Sequence, residues 1–299
     1  MDHFRTHKTR PKVLGPLNYC MYCPEHSTEE LSREHVIPKG LGGGVILLKS
    51  SCEKCRVKTC KIEEECLTKN WKLFRVQNNL DLSDPKSAPT TGAIIIRQDG
   101  KLLTKMVPLE DRPNYLTMPI PDAAPGLLTG RSQETGIRLM HFYDRKDALA
   151  KALKHPGFVS TSALFNSGAV FQFLAKIAHG MMYVSFETSD VTPLLEKIIL
   201  SDYLPEHWWR YIGLAPDIEA EVLPPQWWGA HHMKCFSARI GGGLHIIATD
   251  IRLFASIVGA EINSPTYRVI AGITRQEPIR SSWKPLGFQK VVSDPLNAT

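Results

Sequence analysis

Residues Cys20–Glu63 read CMYCPEHSTEELSREHVIPKGLGGGVILLKSSCEKCRVKTCKIE. Two Cys-x-x-Cys pairs, Cys20/Cys23 and Cys52/Cys55, bracket an acidic-basic dipeptide, Glu34-His35, followed by Val36-Ile37-Pro38 and the glycine run Gly42–Gly44. Knuckles of this spacing supply two thiolates each to one tetrahedral ion, so the four cysteines are candidate ligands of a structural Zn²⁺. A loop-rich unit of about fifty residues buries too little apolar surface to hold itself together. A structural zinc contributes on the order of 10–16 kcal/mol in small finger peptides, ample to fix such a loop. The bland alternative is four unrelated reduced cysteines.

Within this stretch Gly40–Gly44 reads as a turn, because clustered glycines permit positive φ and close backbone approach. Val45–Leu48 is a short apolar run suited to a strand. From Cys52 onward turn residues give way to Lys, Glu and Leu, a helix signature with Ser50 or Ser51 available as its cap. The local order is knuckle, loop with Glu34-His35, short strands, second knuckle, helix. A carboxylate beside an imidazole offers one metal ligand and one general base, the two groups that metal-assisted phosphodiester hydrolysis requires. An isolated Glu-His dipeptide carries no such meaning; its place between the knuckles does.

Cys20-x-x-Cys23, Ser32-Arg33-Glu34-His35-Val36-Ile37-Pro38, Leu41-Gly42-Gly43 and Cys52-x-x-Cys55 together resemble the HNH endonucleases of the ββα-metal fold, in their zinc-stapled subgroup. The resemblance covers residues 19 to about 66. It implies that Glu34 binds a catalytic divalent ion, Mg²⁺ or Mn²⁺, that His35 activates the attacking water, and that the helix from the second knuckle closes the site. One position departs from the pattern. Where the family carries Asn or His after the last knuckle cysteine, this chain has Arg56, a permanent cation that cannot ligate a metal. Three explanations stand. Glu63 or Glu64 further along the helix completes the ion's ligands; Arg56 contacts the scissile phosphate; or the site is catalytically dead and binds nucleic acid. Around it, Arg33, Lys39, Lys54 and Lys58 are candidate phosphate contacts, each of which makes binding salt-dependent, against the alternative of a solvated face.

The remainder frames this unit. The chain has 299 residues, 43% hydrophobic and 22% charged, with formal net charge +6 and pI ≈ 8.9. That describes an ordinary soluble protein, permits a polyanionic partner and does not demand one. Seven cysteines, four in metal-type pairs, fit a reducing, cytoplasmic setting better than a disulfide framework. No stretch resembles a signal peptide. Ser162–Phe186 is interrupted by Asn166, Gln172, Lys176 and His179, which marks a buried helix rather than a membrane span. The basic arm within residues 1–18 either lies along a phosphate backbone or frays in solvent.

Asn78–Pro89 reads as a linker dividing an HNH-like domain, 1–77, from an α+β domain, 78–299, of unassigned role in recognition, regulation or assembly with a partner or second copy. Ala93–Val107 predicts a hairpin turning at Asp99-Gly100. Residues 108–136, rich in proline and glycine, read as an exposed connection. Asp144–Lys154 predicts a helix; Lys234–Ile240, Leu244–Phe254 and Tyr267–Ile273 predict strands. Cys60, Cys66 and Cys235 read as buried thiols. His231-His232 would point to opposite faces of a strand and so not share an ion. Trp208, Trp209, Trp227 and Trp228 suit packing more than base stacking. The expectation is an α+β metal-dependent HNH-type endonuclease cleaving DNA, with bacterial defence as a setting by family analogy alone. The alternative is an inactive zinc module that binds nucleic acid or a protein.

Overall fold

In the computed structural model of the protein, residues 11–23, 30–80, 88–142, 145–161, 165–215, 231–255 and 264–281 are described. The basic residues before Pro11, most of the linker, Trp227 and Trp228 lie outside them.

The N-terminal stretch folds as a three-stranded sheet backed by a helix. β1 (Lys12–Leu14) runs parallel to β3 (Val45–Ser51), and β2 (Ser32–His35) pairs antiparallel on β3's other side. Between β2 and β3 the chain turns tightly at Gly42, whose φ of 80° is left-handed, and at Gly43, where a Cβ would lie 2.1 Å from the Ile37 carbonyl oxygen. α1 (Glu53–Glu64) follows β3 directly and continues as a wider π-helical turn, Glu65–Asn70, before α2 (Lys72–Gln77). The expected helix cap is not there. Cys52 occupies the N-cap with no side-chain cap bond, while Ser50 Oγ donates to the Leu47 carbonyl and Ser51 Oγ to the Cys52 carbonyl.

β4 (Thr91–Gln98) and β5 (Lys101–Pro108) form the expected hairpin, with Asp99 and Gly100 both at positive φ (49° and 76°). The 108–136 stretch departs from its reading. β6 (Leu116–Pro121) is a mostly buried strand; after α3 (Gly126–Thr129) the chain returns as β7 (Ile137–Phe142), which pairs with β6. The prolines that argued against structure, Pro119 and Pro121, are tolerated because β6 pairs on this side alone. α4 (Arg145–Leu153) and β8 (Phe158–Ser160) follow, β8 joining β4.

α5 (Ser167–Ser185) is the centre of the molecule. Asn166 caps it by accepting from the Ala169 N–H at 3.0 Å, and every residue from Ala169 to Ser185 is buried. A helix enclosed on all sides belongs inside a core, and no described helix is long and apolar enough to cross a membrane. β9 (Thr192–Pro193), α6 (Glu196–Leu200) and β10 (Ile212–Leu214) lead to a final meander of β11 (His232–Ile240), β12 (Leu244–Arg252) and β13 (Tyr267–Thr274). Its strand order is β10-β13-β12-β11, and α5 packs on it.

The same α5 packs on α1, so the two regions share one apolar core: Leu47, Trp71, Phe173, Ile177, Phe254 and Tyr267 all belong to it. Trp71 is edge-on to both Phe173 and Phe254. The result is an α+β protein in which the Cys20–Glu63 unit is built onto the larger region.

Candidate functional site

The cysteines converge as the spacing predicts. One thiol sulfur from each of Cys20, Cys23, Cys52 and Cys55 lies within 4.8 Å of all the others. Cys23 Sγ is 3.7 Å from Cys52 Sγ and 3.5 Å from Cys55 Sγ. Tetrahedral zinc with Zn–S near 2.3 Å sets its sulfurs about 3.8 Å apart, so the cluster fits the ion. The Cys52 backbone N–H points at Cys20 Sγ, 3.4 Å away. The Cys20 thiol is pushed down to about 4, chiefly by the hydrogen bond from Cys55, against the opposing effect of burial and with help from the Cys52 N–H. That favours a thiolate at Cys20, whereas Cys23, chiefly by burial, and Cys55, chiefly by its bond to Cys20, are pushed up. These four residues form a candidate structural zinc site.

This cluster fixes where β3 ends and α1 begins, and thereby the groove beside them. Between Ser32 and Glu34 the β2–β3 register shifts: Ser32 faces Ser51, whereas Glu34 faces Leu47. Lys49, on the longer side of the irregularity, takes a φ of 46°. Such bulges re-aim side chains. Here Glu34 is buried, while His35 is half-buried.

The groove has a volume of about 510 Å³ and is lined by residues including Arg33, Glu34, His35, Lys39, Arg56 and Glu63. Burial, and after it the charge of Lys176, pushes the His35 imidazole below the ordinary histidine value, so the ring is neutral at neutral pH. A neutral imidazole in a basic groove can accept a proton. Arg33 and Lys39 are exposed and line the groove as expected. Lys54 and Lys58 are not among its lining residues, and Lys58 pairs with Asp202 instead. Arg56 also lines the groove, but its guanidinium is held by Glu53 through two hydrogen bonds of 2.7 and 2.6 Å. Cys60, expected to be buried, is exposed on the α1 surface at the groove, whereas Cys66 and Cys235 are buried as expected.

The two acidic residues meet a partner that the N-terminal sequence does not contain. Lys176 Nζ lies 2.6 Å from Glu34 Oε1 and 2.6 Å from Glu63 Oε1, and it also donates to the His35 carbonyl oxygen. Its side chain is wholly enclosed. Burial alone would lower the Lys176 value, but the two carboxylates carry it above the ordinary lysine range, so the ammonium stays charged. Glu34 is pushed up by burial and by Glu63, against the opposing pull of Lys176. A divalent ion needs these same oxygens. With an ammonium already seated among them, Glu34 and Glu63 do not fit the Mg²⁺ or Mn²⁺ site that the family pattern implies.

Lys176 belongs to a polar stripe on α5. Gln172 donates to the Ile198 and Ser201 carbonyls. His179 Nε2 is 2.6 Å from the Met21 carbonyl oxygen, to which the Tyr183 hydroxyl also donates. Met21 lies inside the first knuckle, so one helix face grips both the cysteine loop and the carboxylates. The signal was present in the sequence: positions 172, 176, 179 and 183 follow a helical period through an apolar run. Gln172, Lys176 and His179 were legible as evidence against a membrane span, but not as a contact surface.

His231 lies one residue before β11, and its ring serves two backbone groups. Its Nε2 is 2.9 Å from the Leu41 carbonyl oxygen, and its Nδ1 accepts from the Phe254 N–H at 3.1 Å. Trp208 and Trp209 are buried, Trp208 stacking on Phe171 with ring centres 4.1 Å apart. The chain matches no known family, and no characterised protein or solved structure matches it either.

Proposed function

We propose that this protein is an HNH-type endonuclease that hydrolyses DNA phosphodiester bonds, with His35 as general base. The observation that carries this reading is His35: a neutral, half-buried imidazole at the end of a ββα unit, opening on a groove with Arg33, Lys39 and Arg56. In the reaction His35 takes a proton from water as the water oxygen attacks phosphorus; the bond to the 3′-oxygen breaks with its electron pair going to that oxygen, which takes a proton from solvent water. Arg33 and Lys39 are placed to hold the flanking phosphates, and Arg56 joins them if it leaves Glu53. Bound zinc would be held by Cys20, Cys23, Cys52 and Cys55 and would supply rigidity rather than chemistry. No step is assigned to a divalent ion on Glu34 and Glu63, because Lys176 holds both carboxylates.

The second reading, a nucleic-acid-binding zinc module without activity, is favoured by one observation: Arg56 is engaged by Glu53, which leaves fewer free cations facing a phosphate. Incubating supercoiled and linear DNA with wild type and His35→Ala separates the two. The nuclease reading predicts nicking by wild type and none by the variant. Cleavage that persists in His35→Ala overturns the mechanism, and DNA binding without cleavage by wild type establishes the second reading.

A further inference from the structure

Lys176 is the single charged residue between Ser167 and Ser185, on a helix buried in the core from Ala169 onward. An ammonium in that position is costly unless all of its donors are used. Here they are: three N–H groups meet Glu34 Oε1, Glu63 Oε1 and the His35 carbonyl oxygen. Two carboxylates and a carbonyl are also the hard-oxygen set that would bind a divalent ion. They come from β2 and α1, the elements that frame the groove, whereas the cation comes from α5, 141 residues from His35.

We infer that Lys176 is the resident cation of this centre, standing where a divalent ion would otherwise sit between Glu34 and Glu63. The inference deepens the nuclease reading. It makes the larger region part of the centre, through a residue that holds α1 and the backbone of His35 at a fixed separation. Lys176 has no N–H left for a phosphate, so it is a positioning residue: its charge adds to the larger effect of burial in lowering the His35 value and offsets the carboxylates beneath the groove.

The test is a count of bound Mn²⁺ by electron paramagnetic resonance on full-length, zinc-loaded protein, comparing wild type, Glu63→Gln, Lys176→Met and Lys176→Met/Glu63→Gln. The expected result is no Glu63-dependent Mn²⁺ in wild type. One ion per chain is gained in Lys176→Met and lost again in the double variant. Should Lys176→Met fail to fold, Lys176→Gln, whose amide still donates to the carboxylates, carries the same comparison. Wild type that binds Mn²⁺ through Glu63, or a folded Lys176 variant that gains no such ion, overturns the inference. Counting ions needs no substrate. A protein showing the expected pattern but cutting no DNA therefore defeats the nuclease reading alone, and one that cuts DNA while binding Mn²⁺ through Glu63 defeats the lysine assignment alone.

Discussion

At the scale of single residues, two buried side chains make opposite demands. Lys176 is buried and charged, His231 buried and neutral. Removing one partner of a buried ion pair leaves the other charge uncompensated, so Lys176→Met should destabilise the fold by about 3–5 kcal/mol. In a double-mutant cycle by urea denaturation, adding Glu34→Gln should restore part of that loss, and strictly additive costs would show that the pair is not coupled. His231 yields a pH prediction. Burial, opposed by the hydrogen bond to the Leu41 carbonyl, lowers its value from 6.5 to about 4. Between those values the unfolded chain binds a proton that the folded one does not. Its contribution is therefore complete above about pH 6.5 and is lost as pH falls toward 4, on the order of 3 kcal/mol across the window. His231→Gln should flatten the pH dependence of the denaturation midpoint there, and an unchanged slope would rule His231 out as its source. The acidic-basic dipeptide was legible because its members are adjacent and bracketed by knuckles. Lys176 was not, because local sequence does not reveal which buried helix meets which carboxylate.

At the scale of elements, each success and each miss has a local cause. The Asp99-Gly100 hairpin was legible because both turn residues must reach positive φ, which this pair tolerates. β6 was missed because proline reads as a breaker, although a strand paired on one side accommodates it. The start of α1 was placed correctly but its cap was not: Cys52 takes the N-cap, its thiol among the four clustered sulfurs. That coupling of ligand and helix start gives the zinc cluster a structural consequence. Stripping the metal with a strong chelator, or substituting Cys52→Ser, should free the β3–α1 junction. Because α1 packs on α5 within the common core, circular dichroism should show one lowered melting transition for the whole protein. An early, separate transition with the rest unchanged would mean that the N-terminal unit melts by itself.

At the scale of the molecule, the expected division at about residue 78 does not describe where the apolar surface goes. Linker composition marks where a chain leaves regular structure, and says nothing of what the flanking pieces do with their exposed faces. Leu47 and Trp71 on one side and Phe173 and Tyr267 on the other close a single core. His231 bonds Leu41, and the α5 stripe bonds Met21 and Glu34, so polar contacts join the two regions as well. The groove is thus a product of both: its base and basic rim come from the Cys20–Glu63 unit, and its buried charge comes from the larger region. The most direct measurement is nicking of supercoiled plasmid with no added divalent ion and a brief EDTA treatment, in protein verified to retain its zinc. Wild type should nick the plasmid and His35→Ala should not. Nicking that appears only on adding Mg²⁺ or Mn²⁺, or that His35→Ala retains, would contradict the proposed mechanism.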